Sequence, residues 1–360
     1  MQRLLRSFVS LLLIVGGLGI AQADEDSGAV RKFVTLPDGV RFPEGIAANP
    51  ANEDIYVATF DFGPNTNKLL RYNRKGHLLA QRDFGGAPLL GLIFDPVQDK
   101  VYIANAGDLT GAGAARVQRI SAAFNSATPI EDVAILPGIG APGQRSVGNP
   151  DGSQDTIMFG SSFAPAPNAF EFDKHGNLYV SDSFQGAIFR IDNVGGCTRP
   201  CAVTTLAHDP LLATAGFPPF GANGLAFNGD DSALFIANTG DDRILRLDMA
   251  TKAISVFAES LDGADGIVFD RLGRLWVAAN QSDEVVALNS SGRPILRLGR
   301  FEGIGPDGAP KGLLFPASPV IVGDEMFVTN LALPLTPMVG DEPEEDVTRW
   351  TVSRIKLPGL

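Results

Sequence analysis

Cysteine, histidine and tryptophan are all scarce in this 360-residue chain, which has two, three and two of them. Cys197 and Cys201 are the only thiols, four apart around Thr198-Arg199-Pro200. A metal site built on them would need further Cys or His at ligand spacing, which three histidines do not supply. In an exported chain the pair is expected to form a small disulfide that staples a turn. Long apolar runs are also missing, except from Phe8 to Ile20. That run falls short of the roughly 20 residues that span a bilayer. Arg3 and Arg6 before it and Ala21-Gln22-Ala23 after it make residues 1–23 a secretory signal, with no Cys at the cleavage point to accept lipid. The mature chain is then expected to start at Asp24 and to be periplasmic or secreted, without a membrane span.

Positive charge is in deficit as well, with 29 Lys and Arg against 41 Asp and Glu. The net charge is −12, and it becomes −14 once Arg3 and Arg6 are removed. This balance repels phosphate backbones and excludes nucleic acid as an expected partner. About 337 residues make either two ordinary domains or one large all-β domain.

Internal repetition decides for one domain, residues 24–360. The segments GLAFNGDDSALFIANTGDDRILRL from Gly224, GIVFDRLGRLWVAANQSDEVVAL from Gly266 and AFEFDKHGNLYVSDSFQGAIFRI from Ala169 are copies of one unit. Each has an apolar strand, a turn with Asp and Gly, a second strand of Tyr/Phe/Trp-Val-Ala type, and a third strand. Diverged copies start at Gly45 and Gly91, and a sixth runs from Pro319. Short alternating strands at a period between 42 and about 55 residues predict the blades of a β-propeller, and six copies predict six blades. The last copy lacks a fourth strand, whereas Arg31 to Leu36 reads as a fourth strand without a blade. The chain ends are therefore expected to pair and close the ring.

The first strand of each blade lies nearest the axis, so the residue before it sits at the tunnel mouth. Those residues are Glu44, Leu90, Asn168, Asn223, Asp265 and Ser318. Glu44, Asn168, Asn223 and Asp265 are hard oxygen donors with two carboxylates to balance a divalent ion, which points to calcium; the absence of Cys and His disfavours zinc. Asx residues before Gly are also ordinary turn formers, but turn formation does not account for Glu44 or Asn168 at the same register.

The segments Pro43-Glu44-Gly45, Pro167-Asn168, Ala222-Asn223-Gly224-Leu225 and Ala264-Asp265-Gly266 resemble those of the gluconolactonase/senescence-marker-protein-30 (regucalcin-like) family. That family shares its fold and calcium site with paraoxonases and diisopropylfluorophosphatase. The resemblance implies a metal-dependent hydrolase of lactones, esters or related electrophiles, with Glu44, Asn168, Asn223 and Asp265 as ligands. Sugar-lactonase relatives carry Arg-Pro-Asn-Asp where this chain has Ala166-Pro167-Asn168-Ala169. The side chains that hold a polyhydroxylated substrate are thus missing, which points away from a sugar lactone.

Calcium would polarise a carbonyl, leaving proton removal to a side chain, for which Asp265 is the candidate base or nucleophile. Phe217 and Phe220 are candidate walls of a pocket for the apolar part of a small substrate. The metal-face loops also include Phe60-Asp61-Phe62, residues 138–163 and 332–346, the last carrying an acidic run, Asp341 to Asp346, expected to be a mobile, solvated loop. His77 and His175 belong to far-face turns, and His208 to the metal-face rim as a structural residue. The expected function is a calcium-dependent hydrolase of lactones or esters, working as a monomer. The alternative is a non-catalytic ligand- or protein-binding propeller with a structural metal. A propeller like strictosidine synthase would lack the acidic metal set, so Glu44 and Asp265 count against that reading.

Overall fold

The computed structural model describes residues 28–63, 65–108, 114–159, 164–336 and 338–360. The signal expected over residues 1–23 lies outside the described residues. Among those described, no helix is long and apolar enough to cross a membrane.

The described residues form six four-stranded antiparallel sheets arranged as a β-propeller. In blades 1 to 5 the four strands are consecutive, and the innermost strands are Pro43–Ala48, Leu89–Asp95, Pro167–Phe172, Ala222–Phe227 and Ala264–Phe269. Blade 6 consists of Pro316–Val322, Glu325–Asn330 and Thr351–Lys356, and its outer strand is Val30–Thr35 from the other end of the chain. Val30 pairs with Ile355 and Thr35 with Thr351, so the ring closes by backbone hydrogen bonds between the two termini. That closure leaves few sheet edges to template aggregation.

Second strands such as Ile55–Thr59, Ala233–Asn238 and Leu275–Ala279 are buried along their whole length because neighbouring blades cover both faces. This explains their unbroken apolar sequences. Outer strands such as Leu78–Gly85 face solvent and mix polar with apolar residues. Apolar clusters fill the spaces between blades. Trp276, Val285, Met326 and Val328, for example, join blades 5 and 6. Each large side chain so buried contributes about 1.5–3 kcal/mol.

An irregularity recurs in all six inner strands. The pairing of strand one with strand two skips between Pro43 and Ile46, Leu89 and Leu92, Pro167 and Phe170, Ala222 and Leu225, Ala264 and Ile267, and Pro316 and Pro319. Such bulges re-aim side chains. Here each frees the strand's second residue from the ladder: Glu44, Leu90, Asn168, Asn223, Asp265 and Ala317. The sixth position is thus Ala317, one residue before the expected Ser318, because strand one of blade 6 begins its pairing at Pro316 opposite Asn330.

Close approach of the bulges explains the glycine that follows several of these residues. A Cβ on Gly45 would lie 2.1 Å from the Leu90 carbonyl oxygen, and one on Gly224 2.4 Å from that of Asp265. Neighbouring inner strands touch backbone to backbone there, which narrows the tunnel to a waist.

A candidate metal centre at the tunnel waist

Glu44, Asn168, Asn223 and Asp265 line one small cavity of about 40 Å3, together with Leu90 from blade 2. All four are buried. The bulges bring together residues that are up to 221 positions apart in sequence.

Their outward-facing atoms are tied down by one repeated device. Asn168 Nδ2 donates to Ser183 Oγ at 3.0 Å, and that hydroxyl donates to the Ala222 carbonyl at 2.8 Å. Asn223 Nδ2 donates to Thr239 Oγ1 at 2.9 Å, and Thr239 donates to the Ala264 carbonyl at 2.8 Å. A hydroxyl has one hydrogen, and a carbonyl can only accept it, so each hydroxyl must accept from the Asn side chain. This fixes the amide orientation and leaves both Asn Oδ1 atoms for the tunnel. In blade 5 Asn280 Nδ2 donates to Asp265 Oδ2 at 3.1 Å. Thr329 Oγ1 donates to the Glu44 backbone carbonyl at 2.7 Å, carrying the same bridge from blade 6 to blade 1. Ser183, Thr239 and Asn280 directly follow the second strand of their blades, in tails such as Val-Ser-Asp-Ser183 or Ile-Ala-Asn-Thr239, and Thr329 is the last residue but one of its own. The repeats themselves carry that register signal, although attention to strand one alone overlooks it.

Two carboxylate oxygens are left over. Glu44 Oε2 and Asp265 Oδ1 are buried and have no hydrogen-bond partner among the described residues. Burial, and then the nearby charge of Asp265, raises the Glu44 carboxyl well above its ordinary range. Burial likewise raises Asp265, against the hydrogen bonds of Asn280 and Asn223. Uncompensated buried carboxylates of this kind are costly without a cation or proton between them. Among the described residues no three His, Cys, Asp or Glu side chains gather as a metal site. The waist set has two carboxylates and takes its other oxygens from amides.

The roof of the cavity is apolar. Phe60, Pro218, Phe220, Phe315, Leu331, Leu333 and Leu335 cover it, and among the described residues no Lys, Arg or His lines it. Phe220 thus lines this cavity. Phe217 does not: it is 55% exposed, because a tight turn with Phe220 N–H on the Pro218 carbonyl sends it to the outer side. Phe60 belongs to a loop held by the Arg41–Asp61 pair, whose two hydrogen bonds are 2.9 and 2.8 Å. The acidic run is folded, contrary to the expected mobile loop. Pro343–Asp346 forms a short 3-10 turn, and Glu342 Oε2 accepts from Leu335 N–H at 2.6 Å, which holds that roof segment. Sequence composition does not show these backbone acceptances.

His208 sits on the rim, with Nε2 3.2 Å from the Gly140 carbonyl, while His77 and His175 are exposed turn residues. Cys197 and Cys201 are joined by a disulfide in the turn after the third strand of blade 3, away from the waist.

Residues 165–298 match the family described as the SMP-30/Gluconolactonase/LRE-like region. No curated protein matches the sequence. Among solved structures, a luciferin-regenerating enzyme superimposes with a TM-score of 0.62 at 14% identity, covering 91% of this chain and 94% of its own. A calcium-binding protein, regucalcin, from Agrobacterium tumefaciens gives 0.59 at 16% identity, with coverage of 92% and 94%. A gluconolactonase from Xanthomonas campestris gives 0.55 at 15% identity, with coverage of 92% and 91%. At these identities the likeness establishes the six-bladed fold and no more.

Proposed function

On the premise that residues 165–298 carry the SMP-30/gluconolactonase/LRE-like region, we propose that the protein is an exported, calcium-dependent hydrolase of lipophilic lactones or esters. One observation carries this reading. Among the described residues, Glu44 Oε2 and Asp265 Oδ1 are buried without partners at a cavity that Asn168 and Asn223 also line, with the two Asn amide nitrogens donating to Ser183 and Thr239. Four oxygen donors with two negative charges suit a hard divalent cation of the calcium type. Glu44, Asn168, Asn223 and Asp265 would hold it.

A bound cation supplies polarisation of the scissile carbonyl and charge for the oxyanion that water attack creates. The chain's own residues supply the rest. Asn280 holds Asp265 by Oδ2, so Oδ1, the oxygen that would face the cation, is the one placed beside the substrate to take a proton from water or to attack directly. The described roof residues are Phe, Pro and Leu side chains with no polar group for a sugar hydroxyl, which favours a substrate with an apolar body. A void of about 40 Å3 does not admit a lactone, so Phe220 and the 332–336 segment must part for substrate entry.

The test is hydrolysis of a panel of aliphatic and aryl lactones and esters, with calcium and after chelation, alongside metal analysis. Turnover that chelation abolishes and calcium restores is the expected result. Tightly held metal with no turnover on any member would overturn the hydrolase reading in favour of a binding propeller with a structural ion.

A further inference from the structure

The tunnel has a second end. Below the waist it widens to a cavity of about 500 Å3 that opens on the face opposite the candidate metal centre. All six inner strands line it, through residues such as Ile46, Leu92, Leu225, Ile267 and Val320, and it shares no lining residue with the cavity at the waist. Its size suits a small organic ligand, and its wall is largely aliphatic. Two side chains in that wall are ionisable, Glu171 on the inner strand of blade 3 and Glu53 in the exposed rim; among the described residues no Lys, Arg or His belongs to it.

We propose that this funnel is a second ligand site, one that takes a lipophilic ammonium ion with its hydrocarbon body against the inner-strand side chains and its charge against Glu171. The inference is independent of the hydrolase reading. An anion would find no basic partner in that wall, and a neutral hydrocarbon would bring no counter-charge to the carboxyl. A cationic amphiphile satisfies both the aliphatic wall and the acid. Around Glu171, the charged neighbours are Glu53 at the rim and Asp231 from blade 4, while the Lys174 ammonium is held by the Gly229 carbonyl at 2.7 Å. Burial pushes the Glu171 carboxyl up to about 8, the Phe172 N–H pulls against this, and Asp231 adds to it. The empty funnel therefore keeps this group largely protonated at neutral pH, and an arriving ammonium ion displaces the proton.

Isothermal titration of the protein with n-octylammonium and with octan-1-ol at pH 7 tests the proposal. Octylammonium is expected to bind one to one and about tenfold or more tighter than the alcohol, as a charge-assisted contact requires. Nearly one proton should be released per amine, read from the dependence of the heat on the buffer's ionisation enthalpy. Glu171→Gln should bring the two ligands within about threefold of each other and abolish proton release, whereas Glu53→Gln should cost the amine no more than about threefold. Calcium response and ester hydrolysis should be unaffected by Glu171→Gln, so a failed hydrolase assay leaves this result standing. Absence of binding, equal affinity for amine and alcohol, or unchanged amine binding in Glu171→Gln would each overturn the proposal.

Discussion

Glu44 and Asp265 lie within coulombic reach of each other at the propeller axis, each with a buried carboxylate oxygen that lacks a hydrogen-bond donor among the described residues. They come from the first and fifth blades, and only ring closure brings them together. Neighbouring like charges out of contact with water raise the free energy of the fold unless a cation intervenes.

Removing one charge should reverse the sign of this effect. In a chelated sample Glu44→Gln is expected to melt about 2 °C or more above the parent protein, because repulsion is relieved. Added calcium should raise the melting temperature of the parent by mass action and leave Glu44→Gln nearly unmoved. Differential scanning calorimetry with and without chelator reads both. A full calcium response in the variant would remove Glu44 from the ligand set.

Ser183 and Thr239 should govern calcium affinity without touching the ion. Each orients an Asn amide while bridging to the next blade. Ser183→Ala and Thr239→Val are each expected to weaken calcium binding about tenfold, in line with the effect of groups that orient metal ligands. Ser183→Thr, which keeps the hydroxyl, should restore it. Titration calorimetry with calcium gives the comparison, and wild-type affinity in both hydroxyl-free variants would show that the amides hold their orientation unaided.

Asp265→Asn should leave the propeller intact and lower turnover about a hundredfold or more, because the free carboxylate oxygen is lost as proton acceptor. Circular dichroism and the ester panel at saturating calcium separate folding from chemistry. Full activity in that variant would end the assignment of Asp265 as base or nucleophile.

Glu171 sets a pH dependence of stability. Its folded-state carboxyl is pushed up to about 8, above the ordinary carboxyl range. Between that range and pH 8 the folded chain keeps a proton that the unfolded chain has lost, so stability falls as pH rises through this window. Below the window the group makes no difference, and solvent reaching the funnel reduces the effect. Glu171→Gln should therefore match the parent at pH 4 and exceed it in denaturant midpoint at pH 8.5. Parallel curves for the two proteins would show that the carboxyl is not held in its neutral form.

Much of this arrangement is legible from spacing. The copies starting at Ala169, Gly224 and Gly266 announce the blades, and the register before each inner strand picks out Asn168, Asn223 and Asp265. Blade 6 is diverged, and there the spacing leads to Ser318, whereas the bulge selects Ala317. Phe217 and Phe220 look equivalent as letters around two prolines; the turn sends one outward and one onto the roof. Composition makes Asp341 to Asp346 a solvated run, yet Glu342 accepts a backbone N–H from the roof segment. Hydrogen-bond acceptance depends on which donor a loop happens to face, and no local pattern encodes that.

The sequence by itself determined the number of blades, the pairing of the chain ends and the oxygen donors of the waist, because strand periodicity and repeat register are local properties of the chain. Tertiary structure alone decided that, among the described residues, one oxygen of each carboxylate is left without a donor, that hydroxyls fix the Asn amides of their own blades while bridging to the next, and that a waist divides the tunnel into a small cavity with oxygen donors under an apolar roof and a wide aliphatic funnel. Those features arise where six separate bulges meet backbone to backbone at one axis, and the space between them is set by the closed ring.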